Sequence, residues 1–222
     1  MIAEKDRAGG EQTMNGEKNA TRPLRVAVFA SGNGSNFQRL AEAARDGEIP
    51  AAIELLVCDR PAAPVVGRAA AFGIETFTFR PKDYPGREAY ERDILRRLKD
   101  KGIELVVLAG YLRLVTPVLI EPYDGRIINI HPALLPAFPG LDAVRQALEY
   151  GVKVTGVTVH FVDGGMDTGP IIAQRAVAVE PGDTEETLGS RIHRVEHELL
   201  PEVVRWIAEG RVRLEGRHVT VE

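Results

Sequence analysis

Asn129-Ile130-His131-Pro132 sets an amide and an imidazole two residues apart. On a strand such residues face the same way, so Asn129 and His131 are expected to project together at the end of the strand Arg126–Ile130. An amide donor beside an imidazole suits a developing oxyanion, and a histidine titrating near neutrality can pass a proton. Pro132, Pro136 and Pro139 stiffen the loop that follows. A second candidate is Asp163-Gly164-Gly165-Met166-Asp167-Thr168-Gly169-Pro170, a glycine-rich turn carrying two carboxylates. Asp and Gly are what turns use, but Asp167 can also orient a histidine, or take its proton, if the fold brings one near.

Ser31-Gly32-Asn33-Gly34-Ser35-Asn36 follows a short apolar strand and opens a helix. Free N–H groups at a helix N-terminus and the helix dipole favour an anion there, and glycines let the backbone approach it. A phosphate-bearing ligand fits better than a dinucleotide. Gly32-x-Gly34 supplies half of that fingerprint, but Phe37 stands at the third glycine position, although Asp59 lies where a ribose-binding acid would sit. A tight turn without ligand is the plainer alternative. His193-Arg194-Val195-Glu196-His197 matches the H-x-x-E-H zinc-peptidase pattern, yet little chain follows to provide a third ligand, so no metal is expected. Cys58 in its apolar strand reads as core.

These residues need a scaffold that alternates strand and helix. Strands are expected over Leu24–Ala30, Ala51–Cys58, Ile74–Phe79, Leu105–Ala109, Ile127–Ile130, Val154–Phe161 and Ile171–Val179. Helices are expected over Asn36–Asp46, Pro64–Phe72, Gly86–Lys99 and Asp142–Tyr150. Asp183 and Glu186 read as a capping box for a long helix to Glu209, which Pro201 should interrupt or kink, and Val212–Val221 as a terminal hairpin. The fold class is α/β and Rossmann-like: a mostly parallel twisted sheet with helices on both faces. It should be antiparallel at the end where Val154–Val179 has no intervening helix. Residues 1–23 are polar and glycine-rich and read as a disordered extension, leaving 24–222 as a single domain.

The chain has 222 residues, one cysteine and a formal net charge of −4. One cysteine excludes an internally stapled secreted scaffold. The acidic balance argues against a nucleic-acid partner, and no apolar run is long enough to span a membrane. A cytoplasmic enzyme of small molecules, monomeric or homodimeric, is the expectation.

Four ordered blocks together carry a resemblance: SGNGSN after the first strand, LAGYLRLV at Leu108–Val115, NIHPALLP at Asn129–Pro136 and HFVDGGMDTGPII at His160–Ile172. The chain from about Leu24 to Val212 resembles the phosphoribosylglycinamide formyltransferase family of de novo purine synthesis. The resemblance implies transfer of a formyl group from 10-formyltetrahydrofolate to the amine of 5′-phosphoribosylglycinamide, without a metal. It implies that Gly34, Ser35 and Asn36 hold phosphate and ribose, and that His193 and Glu196 meet the glycinamide part. Arg87, Leu112, Arg113, Leu114, Val115 and Asn129, with Asp163, Gly164, Gly165, Met166 and Asp167, would form the folate pocket. Asn129, His131 and Asp167 would be catalytic. Asn129 and a protonated His131 would stabilise the tetrahedral oxyanion, and Asp167 would favour the imidazolium. Two alternatives stand beside this reading. One is another formyl-folate enzyme, such as a formyltetrahydrofolate hydrolase; the other is a non-catalytic nucleotide-binding sensor.

Overall fold

The computed structural model describes residues 22–222. The extension expected over 1–23 therefore falls almost wholly outside the described residues. Arg22 itself pairs with Glu104 at 2.9 Å.

Seven strands form the main sheet: β1 (Leu24–Phe29), β2 (Ala51–Cys58), β3 (Glu75–Thr78), β4 (Leu105–Leu108), β5 (Ile127–His131), β6 (Val154–Phe161) and β7 (Ile171–Ala178). Their spatial order is β3-β2-β1-β4-β5-β6-β7. β1 to β5 pair in parallel, whereas β6 runs antiparallel to β5 and to β7. Short apolar runs buried on both faces are what parallel strands under helices require. The doubly wound sheet with an antiparallel end is thus as expected. A separate hairpin, β8 (Val212–Glu215) with β9 (His218–Val221), follows the last helix.

The helices are α1 (Ser35–Arg45), α2 (Pro64–Ala71), α3 (Arg87–Asp100), α4 (Pro117–Ile120), α5 (Ala143–Tyr150) and α6 (Glu185–Ala208). α4 was not anticipated, since one turn is too short to show a period. The cap of α6 also differs from expectation. Thr184 is the N-cap, and its partner in the capping box is Thr187, not Glu186. Asp183 instead binds Arg191 through both carboxylate oxygens. Nor does Pro201 interrupt α6, which continues to Ala208. Burial of Leu199, Leu200, Val203 and Val204 beside it outweighs the roughly 3 kcal/mol that an interior proline costs a helix.

Alternation along the strands divides the core in two. Val28, Leu56, Val107, Ile128 and Val159 face Phe37, Leu40 and Val65 of α1 and α2 and Leu188 and Val203 of α6. Phe29, Val57, Leu108 and Ile127 face Ile94 and Leu98 of α3 and Leu119 of α4. The register aligns Val57, Phe29, Leu108, Asn129 and His160 in one rung across five strands. On this second face the apolar row therefore gives way to Asn129, His131, Thr158 and His160, the strand positions that follow Ile127 by twos or lie opposite them. No helix of the described residues is long and apolar enough to cross a membrane.

Candidate active site

The polar end of the second face is closed by two loops. Thr158 Oγ1 donates to the Ala133 carbonyl at 2.6 Å and accepts from Leu135 N–H at 3.1 Å, which fixes the loop after β5. Gln174 Nε2 adds bonds to the Leu135 carbonyl and to Thr158 Oγ1. The β6–β7 turn folds over the same face and delivers Asp167.

Asp167 is the meeting point. Asn129 Nδ2 donates to its Oδ1 at 3.3 Å, Gly140 N–H donates to its Oδ2 at 2.7 Å, and His131 Nδ1 lies 3.5 Å from Oδ2. His160, which sequence reasoning left without a role, lies 3.6 Å from Oδ1 through Nε2 and 3.2 Å from Asn129 Nδ2. Its Nδ1–H is taken by the Phe161 carbonyl at 2.7 Å, which turns Nε2 toward the Asn129 amide and Asp167. Burial on its own would push the Asp167 carboxyl up. The contacts from His160, Gly140 N–H and His131 outweigh it and hold that carboxyl below the usual carboxylate range.

His131 is also buried, and burial pulls its imidazole below the ordinary histidine value. The Phe138 carbonyl and Asp167 oppose the shift without cancelling it. Its Nε2–H is donated to the Phe138 carbonyl at 2.8 Å, and Nδ1 faces Asp167. The Asn129 and His131 donors thus converge on protein acceptors. A proton arriving at Nδ1 would create the His131–Asp167 ion pair within the cluster. Phe138 and Asp167 both adopt left-handed backbone, at φ 54° each. Such strain in residues other than glycine costs about 1–2 kcal/mol each and gathers at functional sites.

The glycine loop occupies the neighbouring region, where the chain leaves β1. Gly34 is the N-cap of α1 at φ 77°, and a Cβ there would stand 2.3 Å from Val65 Cγ2. Only glycine fits, so α2 packs directly on the loop. Arg68 of α2 binds the Asn33 carbonyl at 2.8 Å and Asn33 Oδ1 at 2.9 Å. The first helical bond runs from Gln38 N–H to the Gly34 carbonyl, which leaves the N–H groups of Ser35, Asn36 and Phe37 outside the helical ladder. Phe37 is fully buried in the core, filling the place of the third fingerprint glycine.

Asn36 Nδ2 donates to Glu196 Oε2 at 3.0 Å, joining residues 160 apart, and Asn36 Oδ1 has no protein partner. Burial raises the Glu196 carboxyl, opposed by Asn36 and His193. His193 is largely exposed and lies 3.9 Å from Glu196. Among the described residues no group of three His, Cys, Asp or Glu side chains is placed to hold a metal ion.

The remaining expected residues divide. Arg87 opens α3 and lines a cleft of about 540 Å³ with Pro85, Gly86, Glu88, Arg92 and Thr116, which the Asp163–Asp167 turn does not line. Leu112 and Leu114 are about half exposed, at 47% and 48%. Arg113 turns its guanidinium to Asp59 at 2.8 Å, so the acid considered for a ribose holds an arginine instead. Asp163 closes its own turn by accepting from Gly165 N–H and Thr168 Oγ1, while Met166 is half exposed beside Gly140. His160 was legible in the alternation Val157-Thr158-Val159-His160-Phe161, which aims it opposite Asn129. The Phe138 carbonyl and Gly140 N–H carry no side-chain signal.

The chain with this fold belongs to the formyl transferase family, whose pattern residues 24–204 match. It is 52% identical over 181 residues to phosphoribosylglycinamide formyltransferase of Bacillus subtilis (strain 168), covering 82% of this chain and 93% of that protein. The Escherichia coli (strain K12) protein of the same name is 38% identical over 191 residues, covering 86% and 90%. Among solved structures, glycinamide ribonucleotide transformylase 1 from Symbiobacterium toebii superposes with a TM-score of 0.88 at 47% identity, covering 90% of this chain and 94% of that one.

Proposed function

We propose that this chain transfers the formyl group of 10-formyltetrahydrofolate to the amine of 5′-phosphoribosylglycinamide, with residues 24–222 acting as one catalytic domain. The observation that carries the reading is the convergence of Asn129 Nδ2 and His131 Nδ1 on the two oxygens of Asp167, at 3.3 and 3.5 Å. It stands in a chain whose relatives, at 52% and 38% identity, carry that activity in their names.

The roles follow from the chemistry. β1 and β5 are separated only by β4, so the strands that lead to the glycine loop and to His131 run roughly 10 Å apart, at about 4.8 Å per strand. That spacing suits an acceptor with a phosphate at one end and an amine at the other. Gly34, Ser35 and Asn36 receive the phosphate and ribose on backbone N–H groups, and Glu196, with His193 beside it, orients the glycinamide. Arg87, Leu112–Val115 and Asp163–Asp167 frame the folate.

The neutral amine attacks the formyl carbon, and the oxyanion that forms takes hydrogen bonds from Asn129 Nδ2 and a protonated His131 ring, which turn to it from their protein acceptors. The ammonium proton passes by way of Asp167 and water to the departing folate nitrogen. Binding both reactants at attack distance supplies much of the acceleration. The reaction uses only small molecules, in a cytoplasmic monomer or homodimer.

The test is a transfer assay with the purified chain and both substrates, read by folate absorbance. Formyl transfer that depends on the phosphoribosyl amine supports the reading. Release of formate without that amine would favour a hydrolase, and ligand binding without turnover a sensor.

A further inference from the structure

The segment Gly110–Thr116 between β4 and α4 has no regular structure, yet it is fastened at each end and in the middle. Ser31 N–H donates to the Gly110 carbonyl at 3.0 Å, and Ser31 Oγ accepts from Leu112 N–H at 3.0 Å. Arg113 Nε donates to Asp59 Oδ2 at 2.8 Å. At the far end, Thr116 N–H reaches both oxygens of buried Glu91, at 3.0 and 3.1 Å, and the Thr116 hydroxyl bonds the same carboxylate. Tyr111 packs edge-on against Phe29, with ring centroids 5.3 Å apart.

These anchors sort the side chains. Tyr111 and Val115 pack against the core, Arg113 reaches Asp59 through Nε with its side chain 41% exposed, and Leu112 and Leu114 are about half exposed beside it. The Asp59 side chain is 0% exposed, and Arg113 is the partner of its Oδ2, with Oδ1 unpartnered. A buried carboxylate depends heavily on such a partner, so Arg113 is anchored there through Nε.

We propose that Asp59, assisted by Ser31, is a positioning residue. It preforms the Leu112–Val115 edge by holding Arg113 through Nε, so that the main chain and the two exposed leucines of this edge are in place before folate arrives. The proposal rests on the reading of that stretch as the folate edge. It also joins the two substrate loops, because Ser31 begins the glycine loop on which the phosphate is placed.

The test compares Asp59→Ala, Ser31→Ala, Arg113→Ala and the Asp59→Ala/Arg113→Ala double variant in the full chain. Tetrahydrofolate binding is measured by calorimetry, transfer kinetics are run at saturating acceptor, and thermal unfolding checks the fold. If loss of the strut leaves the edge competent about one-tenth of the time, the folate Kd and KM rise about tenfold while kcat at saturation stays within about twofold. Asp59→Ala and Arg113→Ala should weaken folate alike, and the double variant should be no worse than the weaker single. Ser31→Ala, which removes one hydroxyl and preserves the fold, should raise the folate Kd about fivefold.

Arg113→Ala weakening folate while Asp59→Ala leaves it unchanged would make the guanidinium a direct ligand and overturn the proposal. So would unchanged folate binding in both Asp59→Ala and Ser31→Ala. A parent protein that binds no tetrahydrofolate overturns the functional reading itself, and this proposal with it.

Discussion

Asp167 Oδ2 stands 3.5 Å from Nδ1 of His131, and the Gly140 N–H on that same oxygen fixes the carboxylate where a protonated ring would pair with it. Asp167→Asn keeps the shape and removes the charge. The expected outcome is a fall in kcat of about 100-fold or more, the usual worth of a proton-handling group. Calorimetric affinity for the phosphoribosyl substrate should stay near that of the parent. Near-normal turnover in this variant would remove Asp167 from the chemistry.

Burial places His131 below its reference value of 6.5, and Asp167 partly restores it. The limb of kcat/KM that reports the neutral ring should therefore fall on the acid side of that value. In Asp167→Asn the restoring charge is gone, so the limb should move to still lower pH. The same depression contributes stability above the unfolded-state value, lost as pH falls from it through the folded value. Ring NMR of His131 across this window measures the shift directly, and a titration above 6.5 would contradict it.

Gly34→Ala meets two penalties. The left-handed backbone costs about 1 kcal/mol for a residue with a Cβ. Contact with Val65 adds about 1–3 kcal/mol of overpacking. Denaturant unfolding should show the summed loss, with weakened binding of the phosphoribosyl substrate. Adding Val65→Ala should not restore stability fully, because the backbone strain remains and Val65 itself is core.

His160 holds the Asn129 amide toward Asp167. Replacing it with Ala removes one acceptor, so kcat should fall about tenfold, matching a net hydrogen bond of roughly 1.4 kcal/mol. His160→Gln should recover part of that. If His160→Ala matches the parent in kcat, Asn129 is positioned by Asp167 alone.

The scaffold was largely legible because apolar runs of four to eight residues, broken by glycine turns, leave few alternatives to a doubly wound sheet. Ala51–Cys58 and Val154–Phe161 begin and end where their patterns do. What escaped was decided elsewhere in the molecule. Thr184 capping α6 is a local competition that Asp183 loses because Arg191 engages it. At the site, Asn129 and His131 declare themselves by spacing. The distance from His131 to Asp167, 36 positions later, depends on how a turn folds across a sheet face. The Phe138 carbonyl and Gly140 N–H are main-chain groups, which residue types do not reveal. Arg113 was legible as part of the segment expected to meet folate, but its bond to buried Asp59 was not.

The shared rung Val57–Phe29–Leu108–Asn129–His160 has one more consequence. The ends of β1 and β5, where the proposed function places the phosphate and the reacting amine, are offset by whole strands, in steps of about 4.8 Å fixed by a hydrogen-bonded ladder. Such a ruler has coarse graduations. Changing the offset between those strand ends takes a strand gained or lost, so finer adjustment of reach falls to the loops that follow them.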